Sequence, residues 1–286
     1  MESLISSGCF DKISHKSRSF NIDNLNNFMS HGHKKQIDLA SGQSELFSSD
    51  QTTTKIQENS LESKALPSNE ELIRERKVLG YYLTSHPINR YRDELIEMNL
   101  KSISSINEII LKGLSTKFNT TVSGVIIDSR TQKIGKNKFI NIFKVDDGSQ
   151  YINISFFEEK YLQYKNIIKE DIVLFFNGEV FIDDYDSQIC MRAENVFSLD
   201  TAREKYSKYL RIILSSESIS KQKIYDIKKI ISMNSNGKTK VMLSYKTRNV
   251  IAPISSKQDL LVKVDDKLLS KIRSIAGSEN VEIKYQ

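Results

Sequence analysis

FKVDDGSQYINISFFEEKY, Phe143–Tyr161, is the stretch on which the fold turns. Asp146-Asp147-Gly148-Ser149 is a tight-turn signal between two runs that read as strands, Phe139–Val145 and Tyr151–Phe157. Glu158–Ile168 then reads as a helix, with Tyr161, Leu162, Tyr164 and Ile168 on its apolar side. Upstream, Val122, Gly124, Ile126 and Asp128 alternate with Ser123, Val125 and Ile127, which predicts a first strand from Thr120; a loop over Thr131–Asn137 follows, hinged at Gly135. Downstream, Ile172–Ile182 predicts a fourth strand with a bulge or bend at Gly178, Asp183–Ser187 a turn, and Gln188–Phe197 a fifth strand. Three strands, a helix and two strands within about eighty residues is the order of the OB-fold, a five-stranded β-barrel whose helix follows the third strand. The coiled first strand of such a barrel needs a glycine, and Gly124 is in place.

The rest of the chain sets the frame. It has 286 residues, room for two domains, with 38% apolar and 27% charged residues, the balance of globular material with some disordered sequence. No run of about 18 apolar residues is present, so no membrane span is expected. The start MESLISSGCF lacks the basic opening and long apolar core of a secretory signal. Two cysteines, Cys9 and Cys190, cannot build a disulfide framework, so a reducing, cytoplasmic setting is expected. Net charge is +6, but residues 203–248 hold 12 Lys/Arg against 3 Asp/Glu, a local net of +9. That concentration suits phosphates or an acidic partner, and equally a solvated basic face.

On the N-terminal side, a short helical start at Leu4 and Ile5 gives way to a tract from about His31 to Pro67, rich in Ser, Asn, Lys and Gln, that reads as a linker. A helix follows over Asn69–Tyr82, capped by Ser68 or Asn69, and a weaker one over Ile88–Glu97. On the C-terminal side, strands at Tyr209–Leu214, Lys240–Tyr245, Asn249–Ile254 and Val281–Tyr285, with helices at Ser218–Met233 and Asp266–Ile275, read as a small α+β unit. The expected fold class is therefore mixed: a helical and disordered N-terminal segment, an OB barrel and a C-terminal α+β domain.

Four collinear blocks resemble the alpha subunit of bacterial DNA polymerase III, a C-family replicative polymerase, in its C-terminal part. They are MESLISSGCFDKI (Met1–Ile13), ERKVLGYYLTSHPINRY (Glu75–Tyr91), the barrel with Phe143–Tyr161 and Phe175–Tyr206, and LLSKIRSIAGSENVEIKY (Leu268–Tyr285). The resemblance implies a partition into the tail of a helix-hairpin-helix region (1–30), a flexible linker with a clamp-binding peptide (31–67), a helical fingers-tail segment (68–118), the OB-fold (119–200) and a domain binding the tau subunit of the clamp loader (201–286). It implies a function in DNA replication: holding single-stranded template and docking the sliding clamp and tau. The family's palm aspartates, which hold the two Mg2+ ions of polymerisation, lie upstream of the matching region. The chain is therefore expected to be non-catalytic alone, to hold no cofactor of its own, and to work with the N-terminal part of a polymerase. An RNA- or tRNA-binding OB protein and an inert remnant of a decayed gene are the alternatives.

Candidate contacts follow. A single strand wants cations beside exposed aromatic rings; Arg130, Lys133, Lys136 and Lys138 cluster around the first barrel loop, and Phe139, Phe143 and Tyr151 are the rings, with Phe143 assigned to the core. Gln43, Leu46 and Phe47 are similar to the family's clamp-binding pentapeptide, with two apolar side chains for a pocket and an amide for its rim. Leu268, Leu269, Ile272, Val281 and Ile283 are the candidates for tau, although most must also build their own domain's core. Asp146-Asp147 and Asp183-Asp184 sit at turns where Asp bonds backbone, and are not taken as metal ligands.

Overall fold

A computed structural model describes residues 1–14, 16–40, 67–134, 138–183, 187–216, 220–248, 250–254 and 260–286. The clamp-peptide residues Gln43, Leu46 and Phe47, and Lys136, lie outside the described residues. The chain divides into two compact units, Met1–Pro87 and Ile88–Gln286.

The first unit contains α1 (Glu2–Ser6), α2 (Arg18–Asp23), α3 (Leu25–Ala40) and α4 (Asn69–Leu79). Residues 31–40, expected to be linker, are the second half of α3. That helix buries none of its residues, which is why its polar sequence carries no core signal. Ser68 caps α4 reciprocally: its hydroxyl accepts from Glu71 N–H while the Glu71 carboxylate accepts from Ser68 N–H. One turn on, the fully buried Glu75 carboxylate accepts from the backbone N–H groups of Leu83 and Thr84 at 2.6 and 2.7 Å and pairs with Arg18. Arg18 in turn grips Asp11. His86, 8% exposed, lies edge-on to Tyr82 with ring centroids 5.0 Å apart.

The second unit opens with a 3-10 turn leading into α5 (Arg92–Glu97) and α6 (Ile103–Leu111). The barrel follows: β1 (Lys117–Ile134), β2 (Lys138–Asp146), β3 (Tyr151–Phe157), α7 (Glu158–Tyr164), β4 (Val173–Ile182) and β5 (Ile189–Ser198). The strands close in the order β1-β2-β3-β5-β4, with β3 and β5 parallel. Inside stand Val122, Ile126, Val145, Ile152, Ile154, Phe156, Phe176 and Met191, all at most 1% exposed, with Phe143 at 5%. Ile103, Ile106 and Ile110 of α6 and Tyr161 and Tyr164 of α7 complete this core. The helix α6 was not anticipated as a separate element; it is tied down by the buried Asp147 carboxylate, which accepts from Ile103 N–H at 2.7 Å while its other oxygen accepts from Ser149 and Gln150.

Two glycines allow the barrel to close. A Cβ at Gly124 would stand 2.6 Å from the Asp146 carbonyl oxygen, and one at Gly178, where the β4–β5 register shifts, 2.1 Å from that of Arg192. Neither neighbour is a side chain that could turn aside.

Beyond the barrel come α8 (Leu199–Tyr206), β6 (Ser207–Ser215), α9 (Lys221–Met233), β7 (Thr239–Lys246), β8 (Ile251–Ile254), β9 (Leu261–Val262), α10 (Asp266–Ala276) and β10 (Val281–Tyr285). Their sheet runs β10-β6-β7-β8, with β9 on β7. Barrel and sheet share a compact unit because the outer side of β4 and β5 is itself apolar. Phe175 and Phe197 stack at 5.6 Å with an 11° tilt, under Ile88, Leu95, Met98, Leu199 and Ala202.

Candidate nucleic-acid interface

The outward row of β3 is Tyr151, Asn153, Ser155 and Phe157, since Ile152, Ile154 and Phe156 point inward. The β2 residues paired to that row are Asp146, Lys144, Ile142 and Ile140, and the β1 residues opposite Lys144 and Ile142 are Asp128 and Arg130. These strands meet around a groove of about 350 Å³ lined by Asp128, Arg130, Ile142, Lys144, Tyr151, Asn153 and Gln188. Tyr151 is 56% exposed, and the Lys144 ammonium lies 3.8 Å from its ring centroid. An exposed ring backed by a cation, with a guanidinium across the groove, can stack a base and hold its phosphate.

Ladder pairing runs to Ile134↔Lys138, so the expected loop over 131–137 is shorter than its sequence suggested and Arg130 and Lys133 lie on paired strand. The pairing sorts the sequence candidates into two faces. Arg130, Lys138 and Tyr151 share the parity of the groove. Lys133 and Phe139 are paired with each other on the opposite face of the hairpin arm. Phe139 is 39% exposed there, and Phe143 is in the core. Lys144, Asn153 and Arg192 were not among the sequence candidates. The signal for the first two was available: they share Tyr151's face by alternation and by cross-strand register.

The five tau candidates occupy the interior of the C-terminal sheet and its helices: Leu268, Leu269, Ile272, Val281 and Ile283 are 0–8% exposed. As they stand they hold that layer together and present no contact surface. The residues that α10 exposes are Asp266, Lys267, Ser270, Lys271, Arg273 and Ser274.

A buried guanidinium ties several elements of the second unit together. Arg203 of α8, 2% exposed, donates to Glu94 at 2.6 and 2.9 Å and to Asp266 at 2.7 Å. Burial acts to lower its pKa, but the two carboxylates outweigh this and hold it above the ordinary value. The Tyr285 hydroxyl also donates to Glu94, and Tyr91 donates to Asp266 at 3.2 Å. Burial first and the Glu94 charge second push the Tyr285 phenol up. Helix α5, the connector α8, helix α10 and the last strand are thus held at one point. Among the described residues no group of acidic, histidine or cysteine side chains could hold a metal ion, and no helix is long and apolar enough to cross a membrane.

No protein-family model matches the chain. All 286 residues align with DNA polymerase III subunit alpha of Escherichia coli K12 at 27% identity and of Buchnera aphidicola at 28%. The chain is similar to the C-terminal part of DNA polymerase III subunit alpha. It spans 24% of the length of those relatives; the Pseudomonas aeruginosa subunit aligns over 78% of this chain at 26% identity. Solved structures overlap in part: yeast Stn1 and Ten1 (TM-score 0.28, 14% identity, 34% of this chain and 60% of that one) and a second single-stranded DNA binding protein from Mycobacterium smegmatis (0.26, 18%, 30% and 91%). RecG bound to a three-way DNA junction scores 0.32 at 15% identity, over 62% of this chain and 23% of that one. The barrel itself is defined by its strand order.

Proposed function

We propose that this chain is a module of DNA replication that binds single-stranded DNA on the outer face of β1, β2 and β3. The observation that carries this reading is the exposed Tyr151 ring with Lys144 behind it and Arg130 across the groove. Bases stack on aromatic faces without regard to sequence, and phosphates are held by cations, the combination a protein needs when its strand has no fixed sequence. Full-length alignment with the C-terminal part of a replicative polymerase subunit supports the replication setting, and supports DNA over RNA as the strand.

Two docking roles complete the proposal. The stretch containing Gln43, Leu46 and Phe47 engages the sliding clamp through its paired apolar side chains. The C-terminal layer meets the tau subunit through its solvent side, with Lys267 and Lys271 in place of the core residues. Both rest on the family resemblance.

Fluorescence anisotropy of a labelled oligo-dT tests the central claim. Affinity is expected to fall steeply with added salt and to drop about 5- to 150-fold in Tyr151→Ala. Affinity that ignores both would overturn it, and tighter binding of the matching RNA would favour the RNA-handling alternative. A 38–52 peptide binding the clamp no less well after Leu46→Ala plus Phe47→Ala would remove the clamp role. Undiminished tau capture by Lys267→Glu plus Lys271→Glu would remove the tau surface.

A further inference from the structure

The outward row of β3 has an aromatic ring at each end. Between Tyr151 and Phe157 stand only Asn153 and Ser155, both small and polar. Each has a basic neighbour across the ladder: Lys144 on β2 is paired with Asn153, and Arg192 on β5 with Ser155. Phe157 is 47% exposed at the corner where β3 passes into α7. The Arg192 guanidinium lies 5.8 Å from the Phe157 ring centroid and 5.3 Å from that of Phe181 on β4. Glu179, the acid next to Arg192 on β4, is engaged by Lys117 at 3.1 Å. The row is thus a polar track with a cation on either flank and a ring-cation pair at either end.

We infer that Phe157 and Arg192, with Phe181 beside them, form a second stacking station, and that one DNA strand lies along β3 from Tyr151 to Phe157. This rests on the reading that the barrel face takes single strands. Six residue steps along the strand separate the two rings, about 20 Å at the usual rise. A stacked strand advancing ~3.4 Å per nucleotide covers that distance in about six nucleotides, and a splayed one in fewer. Such a footprint falls within the ~4–16 nucleotides typical of one OB-fold. An arginine above two rings serves this purpose well, because its planar guanidinium can stack on a base and still reach a phosphate. Neither station is long enough alone, so occupancy of both must appear as a dependence on strand length.

The test is the affinity of the full chain for oligo-dT of about three to about twelve nucleotides. Wild-type affinity is expected to step up once the strand spans both rings. Phe157→Ala should remove that step, about 5- to 150-fold, while leaving the shortest oligonucleotides bound as before. Tyr151→Ala should weaken every length. Arg192→Ala repeats the Phe157 experiment at an exposed position within β5, should the first variant disturb the strand-to-helix corner. If both variants keep the wild-type length curve, the second station does not exist, although the face still binds. If wild-type chain binds no length, the station and the single-strand reading fall together.

Discussion

Arg203 donates two hydrogen bonds to Glu94 across 109 residues of sequence, from a side chain only 2% exposed. The pair joins α8, the connector leaving the barrel, to α5, which precedes it, and through Asp266 the same guanidinium reaches α10. A charge so buried is tolerable only while its partners stay in place.

Removing that cation should therefore be severe. Arg203→Met leaves the Glu94 carboxylate, 17% exposed, without its main partner. A loss on the order of 3 kcal/mol is expected in chemical denaturation. Arg203→Lys should recover only part of it, because an ammonium cannot serve Glu94 and Asp266 through a planar fork. A loss under ~1 kcal/mol for Arg203→Met would mean the network contributes no more than a surface pair.

The two faces of the β1–β2 hairpin predict unequal salt behaviour. Lys144→Ala should lower the slope of log affinity against log salt by about 0.7, the value of one single-strand phosphate contact. Lys133→Ala, on the opposite face of the arm, should leave the slope where it was. Equal effects would mean the strand wraps the hairpin and does not lie on one side of it.

Gly178→Ala should be costly out of proportion to one methyl group. The new carbon would fall 2.1 Å from the Arg192 carbonyl oxygen and 2.7 Å from Ala193 Cα, both backbone. A destabilisation of about 1–3 kcal/mol is expected, read as a lower denaturation midpoint at unchanged m-value. An unaltered midpoint would show that the β4–β5 bulge can open freely.

Acid should loosen the first unit through Glu75. Burial alone would raise its pKa, but hydrogen bonds from Thr84, from Arg18 and from the Thr84 and Leu83 amides outweigh burial and leave it lowered. A carboxylate depressed in the folded state stabilises fully above its unfolded value, here 4.5, and loses that contribution as pH falls through the folded value. Glu75→Gln should flatten the acid side of the stability curve below about pH 4.5 while lowering stability at neutral pH. Parallel acid limbs for the two proteins would assign the acid sensitivity elsewhere.

The barrel was legible because its strands bury one face and expose the other: Ile152, Ile154 and Phe156 mark the inside of β3 in the bare sequence. On β1 the same rule blurs, since 121–126 are all buried, covered on the outer side as well as the inner. The hairpin arm looks like a loop in the sequence because its residues face solvent on both sides and carry no alternation. Residues 31–40 resemble linker for a related reason: α3 buries nothing, so the helix carries no apolar stripe. The tau candidates show the opposite difficulty, for apolar residues near a chain's end look alike whether they bind a partner or fill a core.

The sequence by itself determined the strand order, the turn at Asp146–Ser149, the glycines at the closing points and the resemblance to DNA polymerase III subunit alpha. All of these are written in neighbouring residues or in their spacing. Only the tertiary structure decided which cations share a face with Tyr151, that Arg192 stands between Phe157 and Phe181, and that Arg203 meets Glu94 and Asp266. Those are contacts between residues distant along the chain, set by ladder register and by helix packing, and no local period encodes them.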